Sequence, residues 1–206
     1  MTDPFSLEEK EKSGAAEQPK RQSKREALIK AGIEEINQYG IAGFSMRRIA
    51  NTCGVSCGAP YKHFEDRKKF IAAIIAYVND QWHAQQREIV ARYEGDTRTQ
   101  IIEVSVSYVE FLVSHPHFRS ILMLKDEDFD NLYHRQRGEI SSPTQQLIQQ
   151  YCWENHIGSE TKLRKLYVIR ALIFGAALMF DTGEMEYNAY TLQVVRESIA
   201  RELDLP

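Results

Sequence analysis

Residues 57–64 carry small, basic and aromatic side chains in an order that suits contact with nucleic acid. Gly58 and Ala59 leave room for the backbone to come close to another surface. Three polar side chains follow in a row, Tyr61, Lys62 and His63. A helix with small residues at its start and polar residues behind them fits the major groove of DNA. The sequence therefore predicts a recognition helix over these residues, with Pro60 in its first turn, where a missing amide proton costs little.

A second short helix is predicted just before this one. Ser45 can cap it, and its apolar residues recur at helical spacing, namely Met46, Ile49, Ala50 and Cys53. Gly54 can take the left-handed conformation that ends a helix, and Ser56 can cap the next helix. The two helices and their turn form a helix-turn-helix pattern. Arg47 and Arg48 are predicted to lie on the outer face of the first of these two helices.

The distribution of charge favours DNA as the partner of this segment. The whole chain of 206 residues has a net charge of −3, but residues 20–69 contain 11 Lys or Arg against 5 Asp or Glu. The basic charge is therefore concentrated on the segment with the helix-turn-helix pattern. An acidic remainder would help to orient the basic end towards DNA.

Eleven positions of this segment agree with one known signature in fixed register. They are Ser45, Ile49, Ala50, Gly54, Val55, Ser56, Gly58, Tyr61, His63, Phe64 and a base at Arg67. On these residues the chain resembles the TetR family of bacterial transcriptional regulators, from about residue 24 to residue 70. The resemblance implies an all-α protein, in which a three-helix helix-turn-helix domain precedes a helical bundle that binds an effector and dimerises.

We predict two kinds of DNA contact for this domain. Phosphate contacts, which position the protein without reading sequence, are predicted for Ser45, Tyr61, His63 and Arg67. Contacts to base edges are predicted for Arg47, Cys57, Ala59 and Lys62, because lysine can donate to guanine and the alanine methyl can touch the thymine methyl. Ser56 and Gly58 complete the predicted DNA-binding set. The partner is expected to be a double-stranded, palindromic operator.

Apolar residues at helical spacing continue beyond the helix-turn-helix. Helices are predicted over residues 23–39, from Asp66 to about residue 93, and over residues 97–114, 142–156, 162–181 and 190–203. No strand pattern is compelling. We divide the chain into a disordered polar leader at residues 1–22, a DNA-binding domain at residues 23–69 and an effector-binding and dimerisation domain at residues 70–206.

Aromatic and adaptable side chains of the second domain are the candidates for an effector pocket, which the resemblance implies. They are Trp82, Tyr108, Phe111, Phe118, Met123, Trp153, Arg170 and Phe174, and each of them can equally belong to ordinary core. A small, largely apolar effector is expected. The last two helices are apolar over more than one face, which predicts a homodimer that reads two half-sites.

Other sites are not expected. Three cysteines, Cys53, Cys57 and Cys152, are too few for a disulfide scaffold, and Cys53 with Cys57 lacks further ligands for zinc. His115 and His117 flank a proline, and residues 126–130 lack the glycine and the distant glutamate of a calcium loop. No catalytic grouping is visible, so neither enzyme activity nor a cofactor is predicted. The longest apolar run, at residues 166–180, contains Arg170 and is shorter than the roughly 20 residues of a membrane span. A cytoplasmic protein is expected.

The sequence favours a homodimeric repressor that a small effector releases from its operator. The alternative is a DNA-binding accessory protein without an effector, whose second domain binds another protein. A sealed core in that domain would favour the alternative, and an apolar cavity with a mouth would favour the repressor.

Overall fold

Eight helical segments make up the part of the chain that the computed structural model describes, residues 23–116 and 144–206. They are α1 (Lys24–Tyr39), α2 (Met46–Thr52), α3 (Ala59–Phe64), α4 (Arg67–Arg92), α5 (Thr97–Ser114), α6 (helical residues 144–154), α7 (Ser159–Thr182) and α8 (Ala189–Asp204). No strand occurs among these residues. The predicted all-α class is confirmed. The predicted leader lies outside the described residues, as do Phe118, Met123, His117 and residues 126–130.

Local capping chemistry sets most helix ends. The Ser23 hydroxyl accepts a hydrogen bond from the Glu26 amide at 3.1 Å, which starts α1, and Gly40 ends that helix with φ of 67°. Asp66 caps α4 in the same way, through a 2.7 Å bond from the Lys69 amide. Asp96 caps α5, where its carboxylate accepts from the Thr99 amide at 2.9 Å. These ends agree with the sequence prediction because each depends on residues within one helical turn.

The start of α3 differs from the prediction. Ser56 does not cap the helix, which begins at Ala59 after Gly58 as its N-cap residue. A helix capped by Ser56 would need an amide proton at residue 60 to donate to the Ser56 carbonyl, and Pro60 has none. With Gly58 as the cap, Pro60 falls where no proton is needed. The Ser56 carbonyl instead accepts from the Ala59 amide at 2.8 Å, so residues 57–58 form a turn.

The first turns of α4 belong to the core of the DNA-binding domain. The rings of Phe64 and Phe70 stack with centroids 3.9 Å apart, and Phe44 meets Phe70 edge to face. At Gly32, in the middle of α1, an added Cβ would lie only 2.6 Å from Cδ1 of Ile74. The glycine therefore allows the close approach of α4 to α1. Residues 70–74, which we assigned to the second domain, complete the core of the first.

The second domain is built around α5, which packs against α4, α7 and α8. Its core includes a fully buried lysine on α7, Lys165, among apolar side chains. The Lys165 amine donates to the carbonyls of Glu202, Leu203 and Leu205 at 2.8, 3.2 and 2.6 Å. It thereby satisfies carbonyls that the end of α8 leaves without partners.

The helix α7 is less buried than its apolar sequence predicts. Leu163, Tyr167, Leu178 and Met179 are all exposed on it. None of the described helices has the length and hydropathy needed to cross a bilayer.

Candidate nucleic-acid interface

The exposed face of α3 is polar. Tyr61 is 53% exposed, and Lys62 and His63 are also exposed, whereas Pro60 and Phe64 on the other face are buried. The stack of Phe64 on Phe70 fixes this orientation, because it anchors α3 to α4. The structure therefore turns the three predicted DNA ligands of α3 outward together.

The turn before α3 is open to solvent. Ser56, Cys57 and Gly58 are exposed, and Ala59 is half-buried. A Cβ added at Gly58 would meet no atom within 4 Å, so no part of the described chain covers this residue. The four residues lie beside the polar face of α3, where a DNA backbone or groove can approach them.

The two adjacent arginines of α2 are in different environments. The Arg47 side chain is exposed and makes no hydrogen bond or ion pair with any other described residue. The Arg48 side chain instead binds the Glu35 carboxylate and lies over the Tyr39 ring, 4.1 Å from its centroid. The hydrogen bond that the Arg48 guanidinium donates to Glu35 raises the pKa of Arg48 above its ordinary value. The Arg47 side chain is thus open to solvent, and its predicted contact with a base edge stays a prediction. Arg48, which we also placed on the outer face, is instead engaged within the protein.

Ser45 caps α2 from the end of the α1–α2 loop. Its hydroxyl oxygen accepts from the Arg48 amide at 3.4 Å, and its own amide donates to Glu35 at 3.0 Å. Ser45 is half-buried. Its position as a cap is confirmed, and its predicted phosphate contact stays a prediction.

Arg67, at the start of α4, is bound to the same loop. Its guanidinium donates to the carbonyl of Ile41 and, at 3.4 Å, to that of Ala42. In the free protein it therefore stabilises the α1–α2 loop. Sequence inspection assigned this arginine to phosphate without foreseeing its internal partners.

The two cysteines of this domain are separate in environment. Cys53 is half-buried, its sulfur lies 3.8 Å from the Ala27 carbonyl, and burial raises the pKa of its thiol. Cys57 is exposed, and both are free thiols. Within residues 23–116 and 144–206, no group of three His, Cys, Asp or Glu side chains could hold a metal ion.

Glu35 is the residue of this site that sequence inspection missed. It lies on the buried face of α1, with only 7% of its surface exposed, beside Ile36. An acidic residue at a position of the apolar stripe is the signal that could have identified it, because buried carboxylates are nearly always paired.

Three of the predicted pocket residues form a closed aromatic cluster. Trp82 lies 4.9 Å from Tyr108 and 5.2 Å from Phe111 between ring centroids, and all three are buried. Phe174 meets the edge of Tyr108 at 6.1 Å. Trp153 does not join them, since it is 79% exposed on α6. Trp82, Tyr108 and Phe111 are therefore part of the core, although Trp82 and Phe111 also line a cavity of about 450 Å³ beside α4.

A groove of about 460 Å³ runs between α6 and α7, next to the aromatic cluster. Its lining is Gln145, Leu163, Leu166, Tyr167, Arg170, Ala171 and Phe174. Two predicted pocket residues, Arg170 and Phe174, thus line an actual cavity. Arg170 forms no ion pair with any residue in the described ranges.

Known proteins resemble both the helix-turn-helix segment and the helical segment that follows it. A family model described as bacterial regulatory proteins, tetR family, matches residues 28–74. The chain is 24% identical over 171 residues to the HTH-type transcriptional regulator AcrR of Shigella flexneri, which covers 82% of this chain and 75% of that protein.

Solved structures share the fold along most of the chain. A transcriptional regulator of the TetR/AcrR family from Thermobifida fusca YX-ER1 has a TM-score of 0.61 at 18% identity, covering 87% of this chain and 95% of that one. FadR from Bacillus subtilis, solved in complex with stearoyl-CoA, has a TM-score of 0.68 at 12% identity, covering 86% and 96%.

The family match covers the segment whose exposed face is polar, and the relatives extend the likeness into the helical second domain. Together with the helix-turn-helix geometry, these findings confirm the resemblance noted in the sequence. Residues 28–74 match the tetR family of bacterial regulatory proteins, and the described chain has the fold of solved TetR-family regulators.

Proposed function

We propose that the protein is a homodimeric repressor that binds a palindromic operator and is released by a small effector. The observation that carries this proposal is the presence of two exposed surfaces of different chemistry, one in the N-terminal and one in the C-terminal part of the chain. One is the polar face of α3, and the other is an apolar surface on α7 and α8. A DNA-binding dimer needs both.

At the operator, α3 enters the major groove. Tyr61 and His63 bind phosphates and position the protein, together with the N-terminal end of α2 at Ser45. Lys62 reads base edges, with Cys57 and Ala59 beside it. Arg47, for which the sequence predicted a base edge, reaches from α2 and neutralises phosphate. Arg67 supports this arrangement mainly by holding the α1–α2 loop through two backbone carbonyls.

The dimer forms through the apolar surface of α7 and α8. Its exposed residues are Leu178 and Met179 on α7, Tyr187 in the turn that follows, and Tyr190 and Val194 on α8. Clustered exposed apolar side chains of this kind mark interaction sites. Gly175, in the middle of α7, supports the same conclusion, because a Cβ there would meet no atom within 4 Å. Glycine costs about 1 kcal/mol relative to alanine in a helix interior, and close approach of a second copy would account for it here.

The effector binds the groove between α6 and α7. Its apolar walls suit an apolar molecule, and Arg170 supplies a cation without an acidic partner among the described residues. An apolar molecule with an acidic head matches both features. The stearoyl-CoA complex of the structurally similar FadR supports a ligand of this general kind.

The alternative, an accessory protein without an effector, is favoured by the tight packing of Trp82 against Tyr108 and Phe111. Under this alternative the α6–α7 groove would take a side chain of a protein partner. The two functions differ in whether a small molecule changes DNA affinity.

Selection of bound duplexes from a random pool tests the proposal. We expect recovery of a palindrome whose half-sites are about 10 base pairs apart, or a multiple of that. Decanoate, an apolar acid, should then release the selected duplex in a fluorescence anisotropy titration. Selection of no duplex at about 150 mM salt, or of a site with a single half, would contradict the proposal. Failure of decanoate and other apolar acids to change affinity would favour the accessory function.

A further inference from the structure

Glu35 connects α1 to the first helix of the helix-turn-helix. Its Oε1 atom accepts three hydrogen bonds, from the Ser45 amide at 3.0 Å, from Arg48 Nε at 2.9 Å and from Arg48 Nη2 at 2.5 Å. Arg48 Nη2 also donates to the Gly43 carbonyl at 2.5 Å. The buried carboxylate is therefore paired with a charge and with a backbone donor of another helix.

The arrangement is a capping box completed from a different helix. In an ordinary capping box, the N-cap side chain accepts from the amide three residues later, and the side chain of that later residue accepts from the N-cap amide. Here the Ser45 hydroxyl accepts from the Arg48 amide, which is the first half. Arg48 cannot accept a hydrogen bond through its side chain. Glu35 supplies the missing acceptor, and the same oxygen binds the Arg48 guanidinium.

We propose that Glu35 is a positioning residue for operator binding, which fixes the start of α2 relative to α1 and withdraws the charge of Arg48 from DNA. This inference rests on the proposed operator binding. Because the capping box joins two helices, its loss frees α2 to rotate against α1. The basic side chains of α2 and α3 then no longer face the DNA in a fixed relative position. Arg47 is then the arginine of α2 that neutralises phosphate, and Arg48 is not.

The salt dependence of DNA affinity separates the two arginines. The slope of log K against log salt is negative, and its magnitude is called the salt slope here. Each neutralised phosphate adds about 0.9 to the salt slope, so one contact per subunit adds about 1.8 in a dimer. Arg47→Ala should lower the slope by about that amount. Arg48→Ala should leave the slope unchanged, because Glu35 already neutralises that charge.

Glu35→Gln tests the positioning role, with Glu34→Gln as the matched control. Glu34 is the preceding residue of α1 and is exposed, so the two variants remove the same charge from the same helix. The probes are the selected palindrome and a scrambled duplex of the same length. Glu35→Gln should release Arg48, raise the salt slope by up to about 1.8 and lower the ratio of palindrome to scrambled affinity by about tenfold. Glu34→Gln should change both affinities alike.

The double variant Glu35→Gln with Arg48→Met should return the salt slope to the wild-type value, since it removes the released cation. The inference is overturned if Arg48→Ala lowers the slope as much as Arg47→Ala does, or if Glu35→Gln behaves like Glu34→Gln. Thermal melting identifies a variant that fails to fold, and the two arginine variants then decide the outcome. Failure of the wild type to bind either duplex would instead contradict the proposed function.

Discussion

The exposed faces of α3 and of the α7–α8 pair differ in chemistry, although both are left open by the same fold. The exposed residues of α3 are polar or basic, and the aromatic ring of Tyr61 carries a hydroxyl. Those of α7 and α8 include leucine, methionine, valine and tyrosine side chains. A hydrated polyanion suits the first face, and another apolar protein surface suits the second. The side chains that α3 and the α7–α8 pair leave exposed therefore indicate which kind of partner suits each surface.

The two domains also use buried charge differently. In the DNA-binding domain, Glu35 and Arg48 hold a loop that leads into α2. In the second domain, burial lowers the pKa of Lys165, whose amine binds only backbone carbonyls at the end of α8. The first arrangement positions a helix that we propose contacts DNA, and the second fixes the terminal helix of the proposed dimer surface.

Charge on the apolar surface should have the largest effect. The double variant Leu178→Asp with Val194→Asp places two carboxylates where a second copy is proposed to pack. We expect sedimentation to show a monomer at about 10 μM, with palindrome affinity reduced roughly a hundredfold because two linked half-site contacts become independent.

Tyr61→Asp is the control for this variant. It also adds a carboxylate at an exposed tyrosine, but on α3, and should leave the dimer intact while DNA binding is lost. A Leu178→Asp and Val194→Asp protein that remains dimeric would show that the apolar surface serves another partner.

Smaller changes on α3 should separate positioning from reading. Tyr61→Ala should weaken the palindrome and a scrambled duplex by a similar factor, about tenfold, since a phosphate contact carries no sequence information. Lys62→Ala should mainly weaken the palindrome, by about 1–3 kcal/mol, and relax specificity at one base pair. Competition binding with single-base variants of the palindrome measures both. Selective loss of the palindrome in Tyr61→Ala would reverse these roles.

Oxidation should have the smallest effect. The raised pKa of Cys53 keeps its thiol protonated near neutral pH. Cys57 is a free thiol that forms no disulfide with another cysteine in the described ranges. Mild peroxide should therefore change palindrome affinity by less than about twofold, which gel mobility shift can measure. A larger change that disappears in Cys57→Ser would make the exposed thiol a sensor.

Helix ends were predictable where one turn of sequence contains both the cap and its partner. Ser23, Asp66 and Asp96 accept from amides three residues later, and Gly40 supplies a positive φ. The start of α3 was mispredicted because Pro60 was placed in the first turn of a helix capped by Ser56, at the position whose amide proton that helix would need. That error was avoidable from sequence, since both residues are visible within five positions.

The functional assignments divide in the same way. The outward set on α3 follows from helical spacing once Phe64 is recognised as its buried anchor. The internal partners of Arg48 and Arg67 could not be predicted, because they lie 13 to 26 residues away along the chain. The exposure of Trp153 could not be predicted either, because it depends on which face of α6 packs inward.

The sequence by itself determined the all-α class, the helix-turn-helix and the resemblance to the TetR family, because these depend on short-range spacing and capping. Only the tertiary structure decided which charged side chains are paired within the protein and which apolar side chains remain exposed. Residues distant along the chain meet only after folding, so identical side chains such as Arg47 and Arg48 acquire different roles from what lies next to them.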